Sequence, residues 1–137
     1  MTAFSDYFEN EILDHAFGGG ARAYTPPATY YMALFTAVGG LETNSPAISE
    51  VDAVATGYAR VAVAFDAASG GAVSNTAAVP FPIATAAWGI VNYGAVVSNN
   101  VEGSGNILAY GSLQSSVDIG IGDTFTFQIG DIQISLD

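Results

Sequence analysis

Residues 58–65 read YARVAVAF, and this strict alternation sets Val61, Val63 and Phe65 on one side of an extended chain, the period-two signature of a β-strand. Upstream, Thr25, Pro26 and Pro27 bar a helix and lead into residues 29–36 (TYYMALFT), a run dense in aromatic and β-forming side chains. Downstream, residues 77–84, 89–97, 106–113, 124–129 and 131–136 supply further strands. Turn-forming clusters at 69–71, 98–100, 103–105 and 120–123 divide them. In the last two runs Phe125, Phe127 and Ile129 share one parity and Ile132, Ile134 and Leu136 the other, so the phase slips across Gly130 and Asp131. A two-residue hairpin loop or a bulge produces such a slip. About seven or eight short strands with frequent glycine turns predict a mainly β chain, an antiparallel β-sandwich or jelly-roll-like domain.

One short helix is expected, ahead of the strands. Ser5 or Asp6 can cap it, Asp6 and Glu9 have capping-box spacing, and acids crowd its first turn, where the helix dipole favours them. Phe8, Ile12 and Ala16 recur every four residues beside Leu13 and Phe17, and the glycines at 18–20 end the segment. An amphipathic helix of about three turns persists only if it docks. The chain of 137 residues is therefore read as one domain over 1–137, with helix and stop in 1–20, and a sandwich over 21–137 interrupted by a long polar loop at 39–57. That loop is expected to be a contact element or an insertion.

Thirteen acids face two bases, Arg22 and Arg60, with no lysine, for a net charge of -11. Such a surface repels phosphate, which argues against nucleic acid and against an anionic membrane. Residues 67–101 carry no ionisable side chain, yet Pro80, Pro82 and several asparagines leave no window of about 20 apolar residues for a membrane span. The neutral tract is read as strands and turns that reserve surface for protein contacts. Arg60, inside an alternating strand, should pair with a carboxylate, within the subunit or across an interface. Cysteine is absent and the N-terminus is acidic, as expected for a chain made in a cytoplasm.

Chemistry is sparse. His15 is the sole histidine and stands where a helix C-terminus favours a cation. No nucleophile elbow or phosphate loop is present. Asp118, Asp123 and Asp131 are close enough in sequence to raise glycosidase chemistry, and residues 117–125 (VDIGIGDTF) faintly resemble a calcium loop, but their glycine neighbours point to turns. Trp88 is expected in the core. The residues thus indicate no enzyme, no cofactor and no metal.

The opening FSDYFENEILDHAFGG, then AYTPPATYYMALFTA, GYARVAVAFDAASGGAVSNTAAVPFPIATAAWGIVNYGAV, NILAYGSL and the closing GDTFTFQIGDIQISLD resemble a family of small tailed-phage virion proteins, commonly labelled tail fibre proteins or virion proteins of unassigned position. The resemblance implies a structural component of the virion. Without heptads or internal repeats, the compact acidic chain is expected to be a capsid decoration (cement) protein on the outer surface, a trimer bridging subunits of the major capsid protein. The alternative is a short tail-fibre or tail-tip module touching the host, and a third reading is a virion glycan hydrolase. The expected contact residues are Phe4, Tyr7, Phe8, Ile12, Glu42, Asn44, Glu50, Arg60, Asn99 and Asn100.

Overall fold

A computed structural model of the chain describes residues 3–19 and 23–136; Gly20, the last of the expected helix-stop glycines, and Arg22 lie outside them. The architecture is mainly β, with antiparallel sheets and one N-terminal helix. The strands are β1 (Ala3–Phe4), β2 (Tyr30–Phe35), β3 (Val61–Val63), β4 (Ala72–Ser74), β5 (Val79–Pro80), β6 (Gly89–Val97), β7 (Ile107–Ile119), β8 (Thr126–Phe127) and β9 (Gln133–Ser135), with α1 spanning Asp6–Phe17. Five of them form one sheet in the order β1-β7-β6-β2-β3, while β4 pairs with β9 and β5 with β8 as separate two-stranded ribbons. The second layer is thus two ribbons where a sandwich would have a second full sheet, and the described residues hold nine strands, one more than the upper expectation.

The central strands are buried on both faces, which is why they read as continuous apolar runs. On one face Met32, Leu34, Val91 and Val96 pack against Val79, Phe81, Trp88, Phe127 and Ile132 from the ribbon side. Aromatic rings fill this core: Phe81 and Trp88 meet Tyr58, and Phe125 meets Phe127 edge-on at 4.9 Å. Trp88 donates its indole N–H to the Thr56 carbonyl at 2.9 Å. On the opposite face Ala33, Phe35, Ala95, Val97 and Ile107 are covered by Leu41.

That cover gives residues 39–57, read as a long polar loop, an inward face as well. The segment makes a single 3-10 turn at Pro46–Ile48 and buries Leu41, Pro46 and Val51. Val51 N–H bonds the Leu34 carbonyl at 3.0 Å, and Ser49 Oγ donates to the Ala37 and Gly39 carbonyls. Gly40 lets the loop fold on itself, since at φ +85° a Cβ there would stand 2.3 Å from the Ser45 carbonyl oxygen. Three apolar anchors five residues apart match neither the helix nor the strand period, so their burial is invisible until the sheet face is in place.

The final two runs are corrected: they form no hairpin with each other. β8 joins β5 and β9 joins β4, and residues 128–131 turn the chain from one ribbon to the other. Asn75, 2% exposed, fastens this corner: its Oδ1 accepts the Gly130 and Ile132 N–H groups at 3.0 Å each, and its Nδ2 donates to the Ala77 and Gln128 carbonyls at 2.9 Å. β4 begins after the Gly70–Gly71 turn, where two successive positive φ angles suit a tight hairpin. β7 runs six residues past its expected end because Val117, Asp118 and Ile119 pair with Gly89, Ile90 and Val91.

Candidate contact surface

The helix starts where Ser5 Oγ accepts the Phe8 N–H at 3.3 Å, and it ends at Gly18, whose left-handed backbone returns an N–H to the Asp14 carbonyl. Ser5 is fully buried. Its N–H bonds the Leu108 carbonyl at 3.1 Å and its hydroxyl donates to the Ile107 carbonyl, so one residue both caps α1 and pins it to β7. No α1 residue is buried, however. Phe8 leans on Phe4, edge-on at 5.4 Å, and on Tyr24 at 5.7 Å, while Leu13 and Phe17 are 54% and 79% exposed.

Between α1, the large sheet and the β4–β9 ribbon runs an apolar groove of about 370 Å³, with Phe4, Phe8, Ile12, Phe65, Ile134 and Leu136 among its walls. Three of the expected contact residues, Phe4, Phe8 and Ile12, meet here. Tyr7 is half-buried nearby; its phenol is pushed up by burial and then by Glu11, and burial pushes Tyr24 up to about 12 with Tyr30, Tyr7 and Glu11 adding to it. Glu42 lies at the helix start, accepting the Asp6 N–H through its carbonyl and the Tyr110 hydroxyl through its carboxylate.

Four other expected contact residues, Asn44, Glu50, Arg60 and Asn99, bond within the subunit. The side chains of Glu50 and Arg60 are both fully buried. Arg60 donates Nε to Glu50 Oε1 and Nη2 to Glu50 Oε2, each at 2.7 Å, and Nη1 reaches the Asn99 carbonyl, Asn99 Oδ1 and the Ser104 carbonyl at 2.9 to 3.0 Å. Glu50 also accepts the Gly103 N–H at 2.8 Å and the Tyr58 hydroxyl at 2.9 Å, and Tyr58 in turn accepts the Leu34 N–H. The pair foreseen for Arg60 is thus made within the subunit, where it clasps the 99–105 loop to β2 and the 39–57 segment. Asn44 bridges to Asn106 Oδ1 and the Ile107 N–H. Asn100 is exposed. Asp123 and Asp131 close their own turns by accepting the Gly120 and Gln128 N–H groups, and no group of three His, Cys, Asp or Glu among the described residues is placed to hold a metal.

Stability should fall in alkali. Burial, then Glu50, holds the Tyr58 phenol well above its ordinary value, and burial with the Glu42 hydrogen bond raises Tyr110 to about 12. A raised native phenol leaves stability complete below the unfolded pKa, near 10, and erodes it as pH climbs toward the native value. For buried Tyr58 the expected slope is about 1.4 kcal/mol per pH unit above about pH 10. Urea titrations through that range measure it, and a flat profile would contradict the assigned burial.

With the geometry in place, the comparison with known families decides the class. A family model described as Podophage GP4 fiber I protein gp80 matches residues 3–135. The chain belongs to this family of phage fibre proteins. No curated protein matches it. The family makes the chain a structural component of the virion with other virion proteins as its partners, and favours the fibre reading over capsid decoration. The expectation of decoration rested on missing heptads and repeats; compact subunits that associate can give a fibre its length without any repeat in the sequence.

Proposed function

We propose that the chain is a non-enzymatic structural module of the phage fibre, and that it holds its place by burying the α1 groove against a neighbouring virion protein. The observation that carries this is the groove itself: an apolar cleft walled by a helix that buries no residue of its own. A docked partner would complete the helix's packing. Self-association as a trimer fits other surface. Val54, Ile83 and Ile121, 77%, 60% and 75% exposed, sit on loops tied together by the Thr85-to-Thr56 and Gly122-to-Ala84 backbone bonds.

Antibody labelling and copy counting on purified particles test the assignment. A small number of copies at the tail fibres is expected, whereas hundreds spread over the shell would return the chain to capsid decoration. Sedimentation of the isolated protein tests the trimer. Because each subunit carries -11, added salt should leave association unchanged or strengthen it, by screening like charge around an apolar contact. A monomer at every salt concentration would remove the self-association claim.

A further inference from the structure

We infer that the groove takes a cationic amphipathic segment of its partner, apolar anchors flanked by Lys or Arg, and not a second copy of this chain; the inference rests on the groove being the fibre contact. The walls set the first requirement. Phe4, Phe8, Ile12, Phe65, Ile134 and Leu136 offer apolar surface with few polar groups, so the occupant must bring apolar side chains. The helix that forms one wall sets the second. On α1 Glu9 and Glu11 flank the Phe8–Ile12 stripe, with Asp6 and Asp14 farther round, against one imidazole, His15, and exposed Asp66 follows groove-lining Phe65. Among the described residues the one guanidinium, Arg60, is consumed by Glu50 in the interior, so no Lys or Arg there offsets this rim.

A second copy is disfavoured by the same charges, since two helices meeting at their grooves would set Glu9 and Glu11 of one against Glu9 and Glu11 of the other. A partner with Lys or Arg beside its anchors gains both burial and attraction, and an anionic competitor of equal hydrophobicity is rejected.

Two helical peptides of about 15 residues test this. Both carry the same leucine stripe; one has lysine and the other glutamate at its remaining positions. Anisotropy titrations against the full chain should show binding of the lysine peptide only, weakened on the order of tenfold between about 0.05 and about 0.5 M salt. Ile12→Asp should abolish that binding even though it makes the protein more acidic, which separates groove binding from general charge attraction. The combined Glu9→Gln, Glu11→Gln, Asp14→Asn variant should weaken the salt dependence. Circular dichroism checks that each variant keeps its fold, and Leu136→Asp, at a groove position that is 60% exposed, serves if Ile12→Asp does not fold.

Equal binding of both peptides, or lysine-peptide binding that survives the groove variants, would overturn the inference. Fibre incorporation of the same variants separates the two readings. If groove variants fail to join particles while neither peptide binds, the contact stands and the partner chemistry falls. If they join particles normally, the groove is not the fibre contact and the inference falls with it.

Discussion

Arg60→Ala is expected to lower the unfolding free energy by about 3 to 5 kcal/mol, although an exposed ion pair is worth only about 0 to 1 kcal/mol. The difference is burial. Removing the guanidinium leaves the Glu50 carboxylate with no exposed surface and no countercharge, holding only the Gly103 N–H and the Tyr58 hydroxyl. It also releases the Asn99 and Ser104 carbonyls, so the 99–105 loop loses its anchor. Glu50→Gln should cost less than Arg60→Ala, because the amide keeps an acceptor for part of the network, and the double change Glu50→Leu with Arg60→Met should recover much of the loss by removing both charges together. Urea unfolding of the four proteins checks the order. A single-variant loss under about 1 kcal/mol would mean that water reaches the pair.

Asn75→Ala is expected to cost about 2 to 4 kcal/mol. Four backbone groups lose a partner, the N–H groups of Gly130 and Ile132 and the carbonyls of Ala77 and Gln128. Each buried group left unmade costs about 1 to 3 kcal/mol, but Gly130 and Gln128 are exposed and can recruit water, which keeps the sum below four full penalties. The Ile132 amide has no such recourse, being in the core. Hydrogen exchange should therefore show its protection falling further than that of the β6 amides, while the β6–β7 ladder stays protected. Uniform loss across both would mean that the corner and the sheet unfold as one unit.

How much of this was legible varies by element. α1 was, with its cap narrowed to Ser5 or Asp6, of which Ser5 caps and Asp6 is the first helical residue, and its stop to the 18–20 glycines, because caps and acidic first turns are local chemistry. The strand at Val61–Val63 showed through its alternation, and Tyr30–Phe35 and Gly89–Val97 showed through β-forming composition. β8 showed inside the 124–129 run, although only Thr126–Phe127 pair, whereas β1 did not have that chance: a two-residue ladder leaves no period. Phe8 and Ile12 share a face that a helical stripe makes legible, whereas Phe4, on β1, joins them at the groove only in the folded chain. Asn99 and Asn100 look alike in sequence, yet one ligates Arg60 and the other is exposed.

What the sequence by itself determined is the β-rich class, the helix with its amphipathic stripe, the acidic surface and the likeness to phage virion proteins, since each depends on composition or on neighbours within a few residues. Only the tertiary structure decided that Glu50 meets Arg60 across ten positions, that Asn75 gathers residues 128–132 from more than fifty positions away, and that the polar 39–57 segment roofs a sheet face. The physical reason is that a buried polar group is stabilised by whichever partners the packed chain brings within about 3 Å, and a linear pattern contains no record of that distance.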